Sequence, residues 1–186
     1  GDFPTRGFIV ALDAKTGQER WRFYTIPGEG EPGNDTWSGD SWKTGGAAPW
    51  TTRTYDAALG RLYWGTGNAA PDHVGTVRKG DNLYANSLVA LDVATGKLVW
   101  HYQFTPHDLH DWDATQVPMI LPAEDGSDGG RILFANRNGF YYTLDRKTGK
   151  YLGATPFVKQ TWAQSIDGNG RPVTAPEAVP SAAGAI

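Results

Sequence analysis

The segment Thr105-Pro-His-Asp-Leu-His-Asp-Trp-Asp-Ala-Thr-Gln-Val-Pro-Met119 gathers the side chains of this chain best suited to chemistry. Three carboxylates (Asp108, Asp111, Asp113), two imidazoles (His107, His110) and an indole (Trp112) fall within seven residues. Pro106 and the crowding of polar groups argue against helix and strand alike, so the segment reads as an irregular loop. A carboxylate in such a loop can take a proton near neutral pH if it is held against a substrate oxygen and a cation steadies the developing charge. Carboxylate and amide oxygens in a loop also suit a hard cation such as Ca²⁺. Taken alone, the segment equally reads as an Asp-rich turn that binds nothing.

Other chemistries fit less well. His107 and His110 with Asp108 and Asp111 suggest zinc, but no helix is expected there to align the two rings, and no His-Glu-x-x-His pattern occurs. The absence of cysteine removes disulfides, thiolate zinc and cysteine nucleophiles. No phosphate loop, serine nucleophile elbow or dinucleotide fingerprint is present, so a nicotinamide dehydrogenase is not supported. The acidic stretch Glu124 to Gly130 faintly resembles a calcium loop, lacks the closing Glu of an EF-hand, and reads as a turn. A net charge of −3 offers no basic footprint for nucleic acid. No apolar run approaches the roughly 18 residues that span a bilayer.

The elements that must position these groups are short strands. Twenty-four Gly and twelve Pro, together with eight Trp, eight Tyr and seven Phe, imply strands joined by tight turns in a folded, all-β chain. A repeat sets the pattern. Phe8-Ile-Val-Ala-Leu-Asp-Ala-Lys-Thr-Gly-Gln-Glu-Arg-Trp21 returns as Ser87-Leu-Val-Ala-Leu-Asp-Val-Ala-Thr-Gly-Lys-Leu-Val-Trp100. It returns again, without the final Trp, as Phe140-Tyr-Tyr-Thr-Leu-Asp-Arg-Lys-Thr-Gly-Lys-Tyr-Leu-Gly153. Each copy is a strand, an Asp-x-x-Thr-Gly turn in which Asp accepts turn amides and Gly takes a positive φ, and a second strand. Each Trp is an apolar plate with one N–H to satisfy at the sheet edge.

Further hairpins are expected around Asp56 to Gly60, and between 117–121 and 131–135. Asp13, Asp56, Asp92 and Asp145 then fall 36 to 53 residues apart. Two hairpins per unit give four-stranded antiparallel sheets, which fit the blades of a β-propeller. The long aromatic and charged linkers 26–49 and 68–82 are where a site is expected, gathered on one face over the central channel.

The hairpin Ala-Leu-Asp-x-x-Thr-Gly-x-x-x-Trp resembles the tryptophan-docking motif of the quinoprotein alcohol dehydrogenases, which use pyrroloquinoline quinone (PQQ). Gly45-Gly-Ala-Ala-Pro-Trp50, Gly65-Thr-Gly-Asn68, Lys79-Gly-Asp-Asn82, Thr105-Pro-His-Asp-Leu-His-Asp111 and Asn136-Arg-Asn-Gly-Phe140 match that family in order and approximate spacing, over nearly all of the chain to about Trp162. The family fold is an eight-bladed propeller. The resemblance implies that residues 1–186 are part of such a propeller domain, two to three blades truncated at both ends. The chain opens on Gly1 with no visible signal peptide and closes in low-complexity sequence, which also suggests a piece of a larger protein.

Carried across, Asp111 is similar to the family's catalytic base, with Asp113 as the rival because the Trp that usually precedes the base is here His110. Asp108 reads as a turn cap. Trp50 resembles the floor under the quinone, and Arg137 the cation at its oxygens. Asn68 resembles an amide ligand of the metal, joined by Asp111 and, where the family has an acidic ligand, Asp2. Asp113 stands where lanthanide-using relatives carry an extra Asp, so the metal is Ca²⁺ or a lanthanide. The implied reaction is oxidation of an alcohol to an aldehyde in the periplasm, with electrons leaving to a cytochrome c or a membrane quinone. Sugar- or polyol-oxidising members share the motifs. A non-catalytic propeller scaffold of the outer-membrane assembly type would keep the hairpins but has no use for Asn68, Asp111 and Arg137 together.

Overall fold

The computed structural model describes residues 5–127 and 129–179. Their regular structure is β, with four short 3-10 turns in the connections. The first hairpin pairs β1 (Phe8–Leu12) with β2 (Glu19–Tyr24). A four-stranded antiparallel meander follows: β3 (Thr54–Asp56), β4 (Arg61–Gly65), β5 (Ser87–Asp92) and β6 (Leu98–Gln103). A second meander comprises β7 (Met119–Pro122), β8 (Gly130–Ala135), β9 (Phe140–Asp145) and β10 (Tyr151–Pro156). A last hairpin pairs β11 (Ala163–Ile166) with β12 (Pro172–Thr174). The repeat therefore builds the two-hairpin, four-stranded units expected of it. The last hairpin lies in a stretch where no strand was expected, although Asp167-Gly-Asn-Gly170 carries the turn chemistry. There Asp167 Oδ1 accepts the amides of Asn169 and Arg171, each at 2.8 Å, and Gly170 has φ +85°.

The repeated turns are built alike. Asp13, Asp92 and Asp145 each accept the N–H and the Oγ–H of the Thr three residues on, at 2.7–3.0 Å. The following glycines, Gly17, Gly96 and Gly149, all sit near φ +70°, where a Cβ would be strained.

β5 shows why the sheets read as apolar runs. Alternate residues of a strand face opposite ways, and here both faces are covered. Leu88 and Ala90 pack toward the second meander, with Trp100, Tyr102, Phe104, Ile132, Phe134 and Tyr142. Val89 and Leu91 pack the other way, against Ile9, Trp21 and Phe23 of the first hairpin. A sheet buried between two neighbours is a blade in a stack.

The tryptophans join one blade to the next. Trp21 donates its indole N–H to Val93 O at 3.0 Å, and its ring fills the space over Gly96 that a Cβ would need. The Trp100 ring covers Gly149 likewise, although its buried indole N–H finds no hydrogen-bond partner among the described residues. In the third copy, which has lost its Trp, Tyr151 lies over Gly170, and the Tyr102 hydroxyl donates to Gly170 O at 2.5 Å. A buried ion pair adds a polar bolt between the meanders. Arg146 donates through Nε to Asp56 Oδ2 at 2.5 Å and through a second nitrogen to Oδ1, and the Tyr63 hydroxyl also donates to Asp56.

Candidate active site

β4 and β6 run parallel to each other on either side of β5, so both end at one edge of the sheet, beside the start of β3. Asn68 follows β4, the Asp108 to Asp113 loop follows β6, and Trp50 precedes β3. Arg137 follows β8 of the neighbouring blade. Their meeting point is Asp113. Its Oδ1 accepts the backbone N–H of Asn68 at 3.0 Å and the indole N–H of Trp50 at 3.5 Å, and its Oδ2 accepts Arg137 Nη1 at 3.3 Å. Four of the residues singled out in the sequence are thus joined through one carboxylate.

Glycine makes that meeting possible. A Cβ on Gly67 would come within 2.8 Å of Asp113 Oδ1 and 2.9 Å of Ala48 O, so the Gly65-Thr-Gly-Asn68 strand end can lie against both segments only without a side chain. The segment after Trp50 is fastened alongside. Trp64 donates to Thr51 O at 2.9 Å, Thr51 Oγ1 donates to Thr115 O, and Thr54 Oγ1 to Pro118 O at 2.5 Å. Trp50 itself is 63% exposed, an indole plane anchored at its nitrogen and open on its face.

Arg137 projects from a tightly held turn. Asn136 Oδ1 accepts Asn138 N at 2.8 Å, and Asn138 Nδ2 donates to the Tyr142 hydroxyl at 2.9 Å and to Thr105 Oγ1 at 3.2 Å. The Trp162 indole donates to Asn138 O at 2.8 Å. The Arg137 side chain stays half exposed, and among the described residues its one hydrogen bond is the one to Asp113.

Asp108 and Asp111 divide their work. Asp108 is buried and accepts the amides of His110 at 2.9 Å and Trp112 at 2.8 Å, with Asn86 Nδ2 at 3.0 Å. Burial opposes its charge, yet His110 and those two amides outweigh burial and hold the carboxyl below the usual aspartate range. It caps the loop. Asp111 sits where that cap makes the chain turn, at φ +59° and half-buried, and among the described residues no hydrogen bond or ion pair reaches its carboxylate. Nor is it bonded to the Asp113 group. His110 stacks on Trp112 with ring centroids 4.1 Å apart, and Trp112 meets Trp162 edge-on at 4.7 Å. Asp2 lies outside the described residues.

Residues 2–169 match the family model described as "PQQ: Glucose/ethanol/alcohol dehydrogenase, beta-propeller domain". The chain belongs to this family. It is 44% identical to quinohemoprotein alcohol dehydrogenase ADH IIB of Pseudomonas putida, over 94% of this chain and 28% of that protein. In structure it superposes on the quinohemoprotein alcohol dehydrogenase of Comamonas testosteroni with a TM-score of 0.86 and 40% identity, covering 95% of this chain and 28% of the other. It superposes on a europium-containing methanol dehydrogenase with a TM-score of 0.88 and 35% identity, covering 95% and 34%. The chain thus spans roughly a third or less of the length of such quinoprotein relatives.

The rim's chemistry suits a quinoprotein's cofactors. An open indole plane with a half-exposed guanidinium fixed to the same carboxylate suits a flat anionic ring system. The donors near Asn68 and Asp113 are oxygens, the choice of a hard cation. Among the described residues no three His, Asp or Glu side chains come together in a group that could hold a metal ion.

Two residues here went unread in the sequence. Arg78, fully buried, donates to Pro71 O at 3.1 Å, Asp72 O at 2.8 Å, Asp108 O at 2.6 Å and Asn82 Oδ1 at 2.8 Å. It ties the loop carrying Asn68 to the loop carrying Asp111. Asp72 accepts Asn68 Nδ2. The only sequence signal for Arg78 was its place beside Lys79-Gly-Asp-Asn82.

Proposed function

We propose that this chain supplies part of the active-site wall of a periplasmic PQQ- and metal-dependent alcohol dehydrogenase, built on an eight-bladed propeller. The observation that carries the reading is the bonding of Trp50, Asn68 and Arg137 to the single carboxylate of Asp113. In this reading Trp50 is the plane beneath the quinone and Arg137 the cation at its oxygens. Asn68, Asp111, Asp113 and Asp2 supply oxygen ligands to Ca²⁺ or a lanthanide. When bound, quinone and metal supply a two-electron acceptor and a Lewis acid.

Asp111 serves as the base. Asp113 is engaged by three donors and its charge is matched by Arg137, which suits a fixed ligand; Asp111 has no hydrogen-bond or ion-pair partner among the described residues, so beside its bond to the metal it keeps a carboxylate oxygen to accept the alcohol proton. His110, Trp112 and Trp162 give that proton transfer an aromatic wall. Relatives named "Lupanine 17-hydroxylase [cytochrome c]" and "Alcohol dehydrogenase (quinone), dehydrogenase subunit" support a cytochrome c or a membrane quinone as the electron acceptor. The europium-containing relative supports keeping a lanthanide beside Ca²⁺.

The test is to titrate the full-length apo-protein with PQQ and Ca²⁺ or La³⁺ while following dye reduction over alcohols, glucose and polyols. Activity should need both additions and fall roughly 10²–10⁴-fold in Asp111→Asn with PQQ binding kept. A folded protein that binds no PQQ overturns the reading and leaves the scaffold propeller as the better account.

A further inference from the structure

An asparagine ligates a hard cation through Oδ1 only, so something must decide which end of its amide faces the metal. In this chain Asn68 is 1% exposed, with its backbone N–H committed to Asp113 at 3.0 Å. Its Nδ2 donates to Asp72 Oδ1 and to Ala69 O at 3.3 Å. Both partners are acceptors, so the opposite orientation would set oxygen against oxygen. Asp72 is itself held: Arg78 donates to its carbonyl at 2.8 Å and to the preceding carbonyl, Pro71 O, at 3.1 Å. The buried guanidinium also lies close enough to Asp72 for their charges to interact.

We propose that Asp72 is the positioning residue of the metal site. By holding the Asn68 NH₂ it fixes Oδ1 as the atom presented to the cation, and its carboxylate strengthens that dipole from behind. The Arg78 clasp keeps Asp72 in place. Partners behind a metal ligand commonly change metal affinity 10–100-fold when removed. The inference rests on the proposed role of Asn68, and the experiment separates the two.

Ca²⁺ and Tb³⁺ affinities would be measured on the full-length apo-protein with PQQ, by calorimetry and Tb³⁺ luminescence, for Asp72→Ala, Asp72→Asn, Asn68→Ala and the double variant Asp72→Ala/Asn68→Ala. Asp72→Ala should weaken both metals about 10–100-fold, and Asp72→Asn, which keeps an oxygen acceptor, should recover most of that loss. In the Asn68→Ala background the Asp72 change should have no further effect, because the two act through one bond. Wild-type affinity in Asp72→Ala, with Asn68→Ala impaired, overturns the role of Asp72 alone. Unchanged affinity in Asn68→Ala overturns the metal reading and this inference with it. If Asp72→Ala does not fold, Asp72→Asn compared with a charge-free, acceptor-free Asp72→Leu decides; equal affinities in those two overturn the proposal.

Discussion

Two aspartate–arginine pairs in this chain have the same chemistry and opposite character. Asp56 and Arg146 meet between the blades with side chains 2% and 7% exposed, bonded bidentately through the Nε–Nη2 edge of the guanidinium, and the Tyr63 hydroxyl also donates to the carboxylate. Asp113 and Arg137 meet at the rim through one 3.3 Å bond, and the Arg137 side chain is 51% exposed. A buried, saturated pair has nothing left to offer a ligand, and breaking it strands a charge. A pair with one anchored carboxylate and one half-open guanidinium contributes little to folding and keeps donors for something else. If Arg137 serves the cofactor as proposed, what distinguishes that pair from the structural one is unused bonding capacity, not residue type.

The largest consequence lies at the joint. Asp56→Ala should destabilise the protein by about 3–5 kcal/mol, because Arg146 is left buried without its partner. Urea unfolding followed by tryptophan fluorescence measures it. Replacing both, as Asp56→Ala with Arg146→Met, should recover a large part of the loss, since no charge is then stranded. A single variant as stable as wild type would mean that solvent reaches Arg146 and the contrast with the rim is not one of burial.

Arg137→Ala should invert the pattern. Stability should change by less than about 1 kcal/mol, as for exposed pairs, while PQQ affinity falls roughly 10–100-fold through loss of charge-assisted hydrogen bonds. Fluorescence titration of the full-length apo-protein with PQQ reads this out. A large loss of stability with unchanged PQQ affinity would place Arg137 with Arg146.

The hairpins could be read from the sequence because their causes are local: Asp, Thr and Gly act on one another within five residues, and two covered faces show as an unbroken apolar run such as Leu88-Val-Ala-Leu91. The joint could not, because Asp56 and Arg146 are ninety residues apart. One trace of it was present. Where the first two repeats carry Ala14 and Val93, the third carries Arg146, a charge on an otherwise apolar pattern that needs a buried partner. The candidate site was legible as residue types through family motifs, and Asp108 as a turn cap. That Asp113 gathers Trp50, Asn68 and Arg137 was not, since those contacts span 63, 45 and 24 residues of intervening chain. The last hairpin went unread because its strands are short and polar, leaving only the Asp167 to Gly170 turn as a signal.

Between the polar joint and the rim lie the tryptophan plates, which test whether apolar docking couples blades independently of charge. Gly96→Ala puts a methyl into the Trp21 ring at a residue of φ +69°, and should cost roughly 1–3 kcal/mol. Gly17→Ala is the control: its φ is +71°, but among the described residues nothing lies within 4 Å of the added carbon. The difference between the two variants in urea unfolding isolates the docking contact from backbone strain.

The smallest effect is also the most specific to the joint. Burial of Asp56 favours its neutral form, but the Arg146 bond, the Leu59 amide and the Tyr63 hydroxyl favour the carboxylate more, so its pKa is lowered. A carboxyl more acidic in the folded than in the unfolded protein stabilises the fold fully above the unfolded value, near 4, and that stability is lost as pH falls through the folded value. Stability should therefore hold from pH 7 to about pH 4 and decline below it. Asp56→Asn removes the titrating group while keeping the shape, so it should start from a lower stability and decline less steeply in acid. Parallel curves for wild type and variant would show that the acid limb arises at other carboxylates, with Asp108, also held below its usual range, the next to substitute.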